Sequence, residues 1–161
     1  MNSGTLSTTI IKDAHGHTLI ELVTVLAVIG VLTGLASAGF SGTMSHFRLN
    51  HAARSLVSDL RWARQLAIAE GRPVQLVLDT EADRYRVERS DSPDIPLNGV
   101  RDFRNGAQGY GGIDLVESTG GEELVFQPNG TTADWTTITL RNRRGEERSI
   151  SLILTGRVRV R

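Results

Sequence analysis

The last five residues of the chain carry three arginines at alternate positions, Arg157, Arg159 and Arg161, with valines between them. In an extended strand, side chains two residues apart lie on one side and are about 6.7 Å apart. Phosphates along one DNA strand rise about 3.4 Å each, so this spacing matches every second phosphate. Each guanidinium can donate two hydrogen bonds to a phosphate. The pattern favours a phosphate-binding tail, in which Gly156 allows a turn or a close approach of phosphate to the backbone.

A solvated edge strand explains the same tail equally well, because exposed arginines also prevent sheets from pairing edge to edge. In both cases Val158 and Val160 are expected to face the body of the protein. The formal net charge of the chain is zero, so no global field indicates a nucleic-acid partner. A secondary basic patch is predicted upstream, around a hairpin turn that also carries two glutamates, and consists of Arg141, Arg143, Arg144 and Arg148.

One carboxylate, Glu21, stands at the front edge of an apolar segment, 17–40, in which Leu22–Leu35 carries no charge. About 20 apolar residues are needed to cross the ~30 Å of a bilayer's hydrocarbon. A carboxylate at the bilayer centre costs about 2.5–3.5 kcal/mol and less near the interface. Glu21 is therefore either a harmless interfacial carboxylate or, in a retained helix, the partner of a positive charge on a neighbouring subunit. A cleavable secretory signal, cut after Ala36-Ser37-Ala38, is a further alternative.

Composition argues against several kinds of catalytic site. The chain has no cysteine, and its four histidines lie within the first 51 residues. Disulfides, thiolate nucleophiles and a distal imidazole base are therefore excluded. The segments GFSGT and GYGG lack the spacing of a serine elbow and of a dinucleotide loop. We expect no enzyme, no cofactor and no metal site.

Two kinds of element must position these residues. Segment 41–71 is predicted to be an amphipathic helix that ends at Gly71, and 72–161 a β-rich domain with a basic tail. Predicted hairpins join Val74–Asp79 to Tyr85–Arg89 and Trp135–Arg141 to Arg148–Leu154, which gives an α+β fold with the helix packed on antiparallel sheet. Of the two tryptophans, Trp62 lies on the helix and Trp135 at the start of a strand, so base stacking on single strands is not the favoured binding mode. The apolar face of the helix consists of Leu49, Ala53, Leu56, Leu60, Ala63 and Ala67.

The N-terminal residues resemble the class III leader of type IV pilins and pseudopilins. The resemblance rests on Gly16, on His17 and on Glu21 as the fifth residue after the glycine, followed by an apolar helix. It implies that prepilin peptidase removes leader 1–16 between Gly16 and His17, and that the new amino terminus is N-methylated. Segment 17–40 would then be a transmembrane or filament-core helix, and Glu21 would pair with the terminal amine of an adjacent pilin.

The segments FQPNGTT and TGRVRVR resemble the GspH/FimT branch of minor pseudopilins. The resemblance implies a long N-terminal helix on a β-sheet body, anchored once in the bacterial inner membrane before assembly into a surface pilus or periplasmic pseudopilus. In FimT-like proteins the G-R-x-R tail is implicated in DNA binding for natural transformation. It maps onto Gly156, Arg157 and Arg159, and Arg161 extends it. The alternative is a type II secretion pseudopilin that does not bind DNA.

Overall fold

The computed structural model describes residues 18–105 and 108–161, without the side chains of residues 36–42. The predicted leader 1–16 and both residues of the cleavage site, Gly16 and His17, lie outside these residues. The chain divides into two compact units, Met1–Gly39 and Phe40–Arg161. Helix α1 spans Leu19–Glu70 and therefore contributes to both units.

In the first unit, α1 exposes apolar side chains around its whole circumference. Every valine, leucine and isoleucine from Leu19 to Leu35 is more than half exposed. A helix that is apolar on all sides normally lies in a membrane or in a protein core, so lipid or other helices are expected to cover these side chains. None of the helices in the described part of the chain combines the length and the apolarity required to cross a bilayer.

In the second unit, α1 packs one face into the core. All six positions of the predicted apolar face are buried, with exposed fractions between 0 and 2%. The helix ends at Glu70 because Gly71 adopts a left-handed φ of 64°, a conformation that glycine tolerates at a helix C-terminus. Pro73 follows two residues later and cannot continue the helix. The amphipathic helix predicted from the spacing of apolar residues is thus present.

Eight short strands follow the helix and form two antiparallel sheets of four strands each. The first sheet has the order β3-β2-β1-β5 and the second the order β4-β6-β7-β8. Both predicted hairpins are present, as the pairs β1–β2 and β6–β7. The strands are β1 (Val74–Asp79), β2 (Arg84–Arg89), β3 (Val100–Asp102), β4 (Ile113–Ser118), β5 (Glu123–Phe126), β6 (Thr136–Asn142), β7 (Glu147–Leu152) and β8 (Val158–Val160).

One hydrophobic core joins the helix to both sheets. It contains Leu56 and Leu60 of α1, Leu76 of β1, and Ile138 and Ile150 of β6 and β7, all completely buried. A helix on antiparallel sheets gives an α+β body, as predicted. The division into two sheets does not follow from the sequence pattern, because alternation within a strand specifies a buried face but not the neighbouring strand.

Candidate nucleic-acid interface

The C-terminal tail forms β8, the edge strand of the second sheet. It pairs with β7 so that Val158 lies opposite Leu152, Arg159 opposite Ser151 and Val160 opposite Ile150. Directly opposed residues of an antiparallel pair project to the same face. The valines of β8 therefore share a face with buried Leu152 and Ile150, and the arginine shares a face with the hydroxyl of Ser151.

The ladder extends one residue beyond β8. The backbone N–H of Arg161 donates to the carbonyl of Ser149 at 2.9 Å, and the N–H of Ser149 donates back at 3.1 Å. Arg157, Arg159 and Arg161 are all exposed. Val158 packs against the core, but Val160 is 50% exposed. The expected alternation is present, although the body covers the second valine only in part.

Gly156 places this strand through a tight turn. Its φ is 73°, and its N–H donates to the carbonyl of Ile153 at 2.8 Å. A Cβ added here would overlap the carbonyl oxygen of Gly130 and lie 2.6 Å from Nε of Arg64. That Nε donates to the same Gly130 oxygen at 2.8 Å. The turn expected at Gly156 is thus present, but the group that approaches its backbone is another segment of the chain.

The polar side of α1 runs beside the tail. A cavity of about 340 Å³ lies between them, lined by Arg61, Arg64 and Gln65 of the helix and by residues 156–159 of the tail. We call this cavity the tail groove. No carboxylate lines it, so arginines on both walls give it a positive potential. The sequence does not single out Arg61 and Arg64 as site residues, because its only signal for them is their place on the polar face of the helix.

The hairpin arginines lie apart from the tail groove, and none of them lines it. Arg141 donates to a carboxylate oxygen of Glu147 at 2.6 Å. Nε of Arg148 donates to the side-chain oxygen of Asn50 on α1 at 3.2 Å. Nε of Arg143 lies 2.6 Å from the position that a Cβ of Gly112 would occupy. Two members of the predicted secondary patch, Arg141 and Arg148, therefore already donate hydrogen bonds to other residues of the body.

The turn between β6 and β7 also carries negative charge. The amide of Asn142 donates to Glu146 at 2.9 Å, and His46 lies 3.4 Å from the same carboxylate oxygen. These contacts, with that of Asn142 the stronger, hold the pKa of Glu146 below its usual range. The carboxylate therefore stays ionised near neutral pH and offsets part of the positive charge of the patch.

Glu21 lies in the first turn of α1. Its backbone N–H donates to Oγ1 of Thr18 at 3.3 Å. Thr18 and Glu21 have the spacing of a capping box, in which the N-cap hydroxyl accepts from the third helical residue. This spacing is visible in the sequence, and the bond from the backbone N–H of Glu21 helps to cap α1. Across residues 18–105 and 108–161, no cluster of three or more metal-ligating side chains was found.

Comparisons with known proteins add independent findings. Residues 52–156 match the family of type II transport protein GspH, and residues 11–37 match the prokaryotic N-terminal methylation motif. The type II secretion system protein H of Xanthomonas campestris pv. campestris is 29% identical over 123 residues, which are 65% of this chain and 73% of that protein.

Two solved structures are similar to the fold. The type IV minor pilin FimU of Pseudomonas aeruginosa has a TM-score of 0.57 at 22% identity and covers 72% of this chain and 90% of its own. The minor pseudopilin EpsH from the type 2 secretion system of Vibrio cholerae has a TM-score of 0.52 at 17% identity, with 71% and 96% covered. At these identities the likeness shows the fold, an N-terminal helix followed by a β-sheet body.

Proposed function

The chain belongs to the GspH family of type II transport proteins, and from that premise we propose that it is a minor pilin of a type IV pilus that binds DNA through the tail groove. Membership makes it a minor pilin or pseudopilin of the type II secretion or type IV pilus kind. The proposal concerns the choice between these two systems and the DNA ligand.

One observation carries the proposal: arginines from two separate elements line one groove that contains no carboxylate. Arg157 and Arg159 come from the tail, and Arg61 and Arg64 from α1. A tail whose arginines served only to protect a sheet edge would need no cationic wall opposite. The backbone of nucleic acid presents one negative charge per nucleotide, so it fits such a groove whatever its sequence. Binding is expected to be non-specific and sensitive to salt.

Assembly is the second part of the proposal. Prepilin peptidase cuts between Gly16 and His17, the new amino terminus is methylated, and segment 17–40 anchors the protein in the inner membrane before it joins other pilins. The match of residues 11–37 to the methylation motif supports this processing. So does the apolar surface of α1 between Leu19 and Leu35, which neighbouring helices or lipid would cover. Glu21 would then pair with the amine of the adjacent subunit.

Intact mass of the protein purified from whole cells, soluble and membrane fractions together, tests the processing. A mature chain that begins at methylated His17 is expected. A chain that begins at Gly39 would instead indicate an ordinary signal peptide and would remove both the anchor and the pilin assembly.

The DNA ligand is tested with the double variant Arg157→Gln/Arg159→Gln. The full chain in a non-ionic detergent is titrated with duplex DNA in a mobility-shift assay at several salt concentrations. Phosphate contacts from the four arginines of the tail groove give a slope of log affinity against log salt near −3.6, at about 0.9 per contact. The variant should lose about tenfold in affinity, and its slope should become shallower by about two units.

Arg143→Gln/Arg144→Gln is the matched control, because it removes the same charge outside the tail groove. Its affinity should fall by less than that of the tail variant. Equal losses in the two variants would mean that overall charge, and not the groove, attracts DNA. Unchanged affinity in the tail variant would refute the proposed site.

A second candidate function is that of a type II secretion pseudopilin, which acts in protein secretion without DNA binding. The similarity to the Xanthomonas type II secretion system protein H favours it. A deletion strain separates the two candidates by measurement of natural transformation and of secreted hydrolase activity. Loss of transformation alone supports the pilus, and loss of secretion alone supports the pseudopilus.

A further inference from the structure

A second cavity, of about 620 Å³, adjoins the tail groove. It is lined by α1 and by the end of β8, and it shares Arg61 and Gln65 with the tail groove. Its other residues include Arg54, Trp62 and Val160. Residues 156–159 of the tail share a cavity with Arg61, Arg64 and Gln65, whereas Val160 shares one that reaches back to Arg54. The strand and the helix therefore run antiparallel. The two cavities therefore lie one after the other along the strand.

The second cavity has a different chemistry from the tail groove. Val57, Trp62 and Val160 give it an apolar wall. Val160 is half exposed although it lies on the core-facing side of β8, because this cavity is open beside it. Arg54 and Arg61 also border the cavity, and no carboxylate does. Trp62 is only partly buried where it packs against the core, and an aromatic surface beside arginine side chains is the usual composition of a site for single-stranded nucleic acid.

Hydrogen-bonding groups complete the site. Ser58 and Gln65 also line the cavity, and between them they offer a hydroxyl and an amide, which can donate and accept. A nucleobase has apolar faces and a polar edge, so an apolar wall with a few polar groups at its rim fits one base. A base within a duplex is stacked between its neighbours and cannot enter the cavity without leaving the stack.

We propose that this cavity is a nucleobase subsite that takes one unstacked base of single-stranded DNA on Trp62, with Arg54 and Arg61 on the flanking phosphates. The inference rests on the proposed DNA binding but goes beyond it, because the tail groove alone does not distinguish one strand from two. It also revises the expectation from the sequence that base stacking on single strands is not the favoured binding mode. That expectation treated Trp62 as a helix residue with no connection to the tail.

Fluorescence of Trp62 tests the subsite directly. The chain has two tryptophans, and Trp135 is 64% exposed, so Trp135→Phe leaves Trp62 as the only one at little cost in stability. This variant, as the full chain in a non-ionic detergent, is titrated with a short oligothymidylate and with an abasic oligonucleotide of the same length. Stacking of a base quenches the indole, whereas the abasic strand presents the same phosphates without bases.

Quenching by oligothymidylate but not by the abasic strand supports the subsite. Equal responses to the two strands, with binding of both confirmed by mobility shift, would overturn it and leave the tail groove as a phosphate site. Failure of every DNA, duplex included, to bind would overturn the proposed function itself. The two failures are thus distinguishable.

Substitution of Trp62 provides a second measurement. Trp62→Leu should lower the affinity for oligothymidylate about tenfold and leave the affinity for duplex DNA within about twofold. Trp62→Phe keeps an aromatic ring and should retain most of the affinity for the single strand. Equal losses of single-strand and duplex binding in the leucine variant would mean that Trp62 only supports the helix, which would overturn the subsite.

Discussion

The most direct test of the packing beneath the tail is Gly156→Ala compared with Gly145→Ala. The two glycines occupy equivalent turns: each N–H donates to the carbonyl three residues earlier, at 2.8 Å for Gly156 and 2.9 Å for Gly145. Their φ angles are 73° and 81°. The conformational penalty for alanine is therefore nearly the same at both positions, about 1 kcal/mol or slightly more.

The surroundings of the two glycines differ. No atom lies within 4 Å of a Cβ added at Gly145. At Gly156 the added Cβ overlaps the backbone carbonyl of Gly130 and lies 2.9 Å from Cδ of Arg64. Backbone cannot yield as a flexible side chain can, so forced overpacking adds about 1–3 kcal/mol. We expect Gly145→Ala to cost about 1 kcal/mol and Gly156→Ala about 3 kcal/mol in unfolding free energy.

Thermal unfolding followed by circular dichroism measures the difference. For a body of this size, 1 kcal/mol corresponds to about 4 °C in Tm. Gly145→Ala should therefore lower Tm by about 4 °C and Gly156→Ala by about 12 °C. Affinity for duplex DNA should fall only in the second variant, because that substitution displaces Arg157 and Arg159. Equal decreases in Tm would refute the steric argument and leave only the cost of the left-handed φ.

Two further predictions concern carboxylates elsewhere in the chain. Glu21→Gln keeps a capping-box residue but removes the charge. If Glu21 pairs with an amine, incorporation into filaments should therefore fall as far with Glu21→Gln as with Glu21→Ala. Normal incorporation of the glutamine variant would indicate that capping of α1 beside Thr18 is the main role of Glu21. Burial of Glu88 is outweighed by hydrogen bonds from Arg86 and Gln75, which lower its pKa below 4.5. A carboxylate whose pKa is lower in the folded than in the unfolded state stabilises the protein at pH values above the pKa of the unfolded state. The difference in unfolding free energy between wild type and Glu88→Gln should therefore shrink as the pH falls below about 4.5. A difference that does not change with pH would contradict this assignment.

The sequence predicts the helix and most strands because their signals are local. The spacing from Leu49 to Ala67 specifies one buried face of a helix, and alternation specifies the two hairpins. The N-terminal methylation motif is also contiguous, so Gly16 and Glu21 are recognisable without a structure. The resulting resemblance is confirmed by the match of residues 11–37 to the prokaryotic N-terminal methylation motif, together with the GspH family match.

The site could be predicted only in part because one wall of it is made by tertiary packing. Alternation in the tail predicts which side each arginine takes, but not that β8 pairs with β7 and lies beside α1. Arg61 and Arg64 therefore look like an ordinary solvated helix face in the sequence. The same applies to Trp62, whose significance depends on Val160, nearly 100 residues later in the chain. The requirement for glycine at position 156 likewise comes from Gly130, a distant residue.

The contact of Arg64 with Gly130 and Gly156 has a consequence for how related chains diverge. One guanidinium fills the space left by two missing side chains, so these three positions constrain one another although they lie in three separate segments. A shorter residue at position 64 would relieve only part of the crowding, because a side chain at position 156 would still overlap the carbonyl of Gly130 and one at position 130 would still meet Ile68. Both glycines also have left-handed φ angles, 78° and 73°, so across related sequences they are expected to be retained together even where position 64 changes.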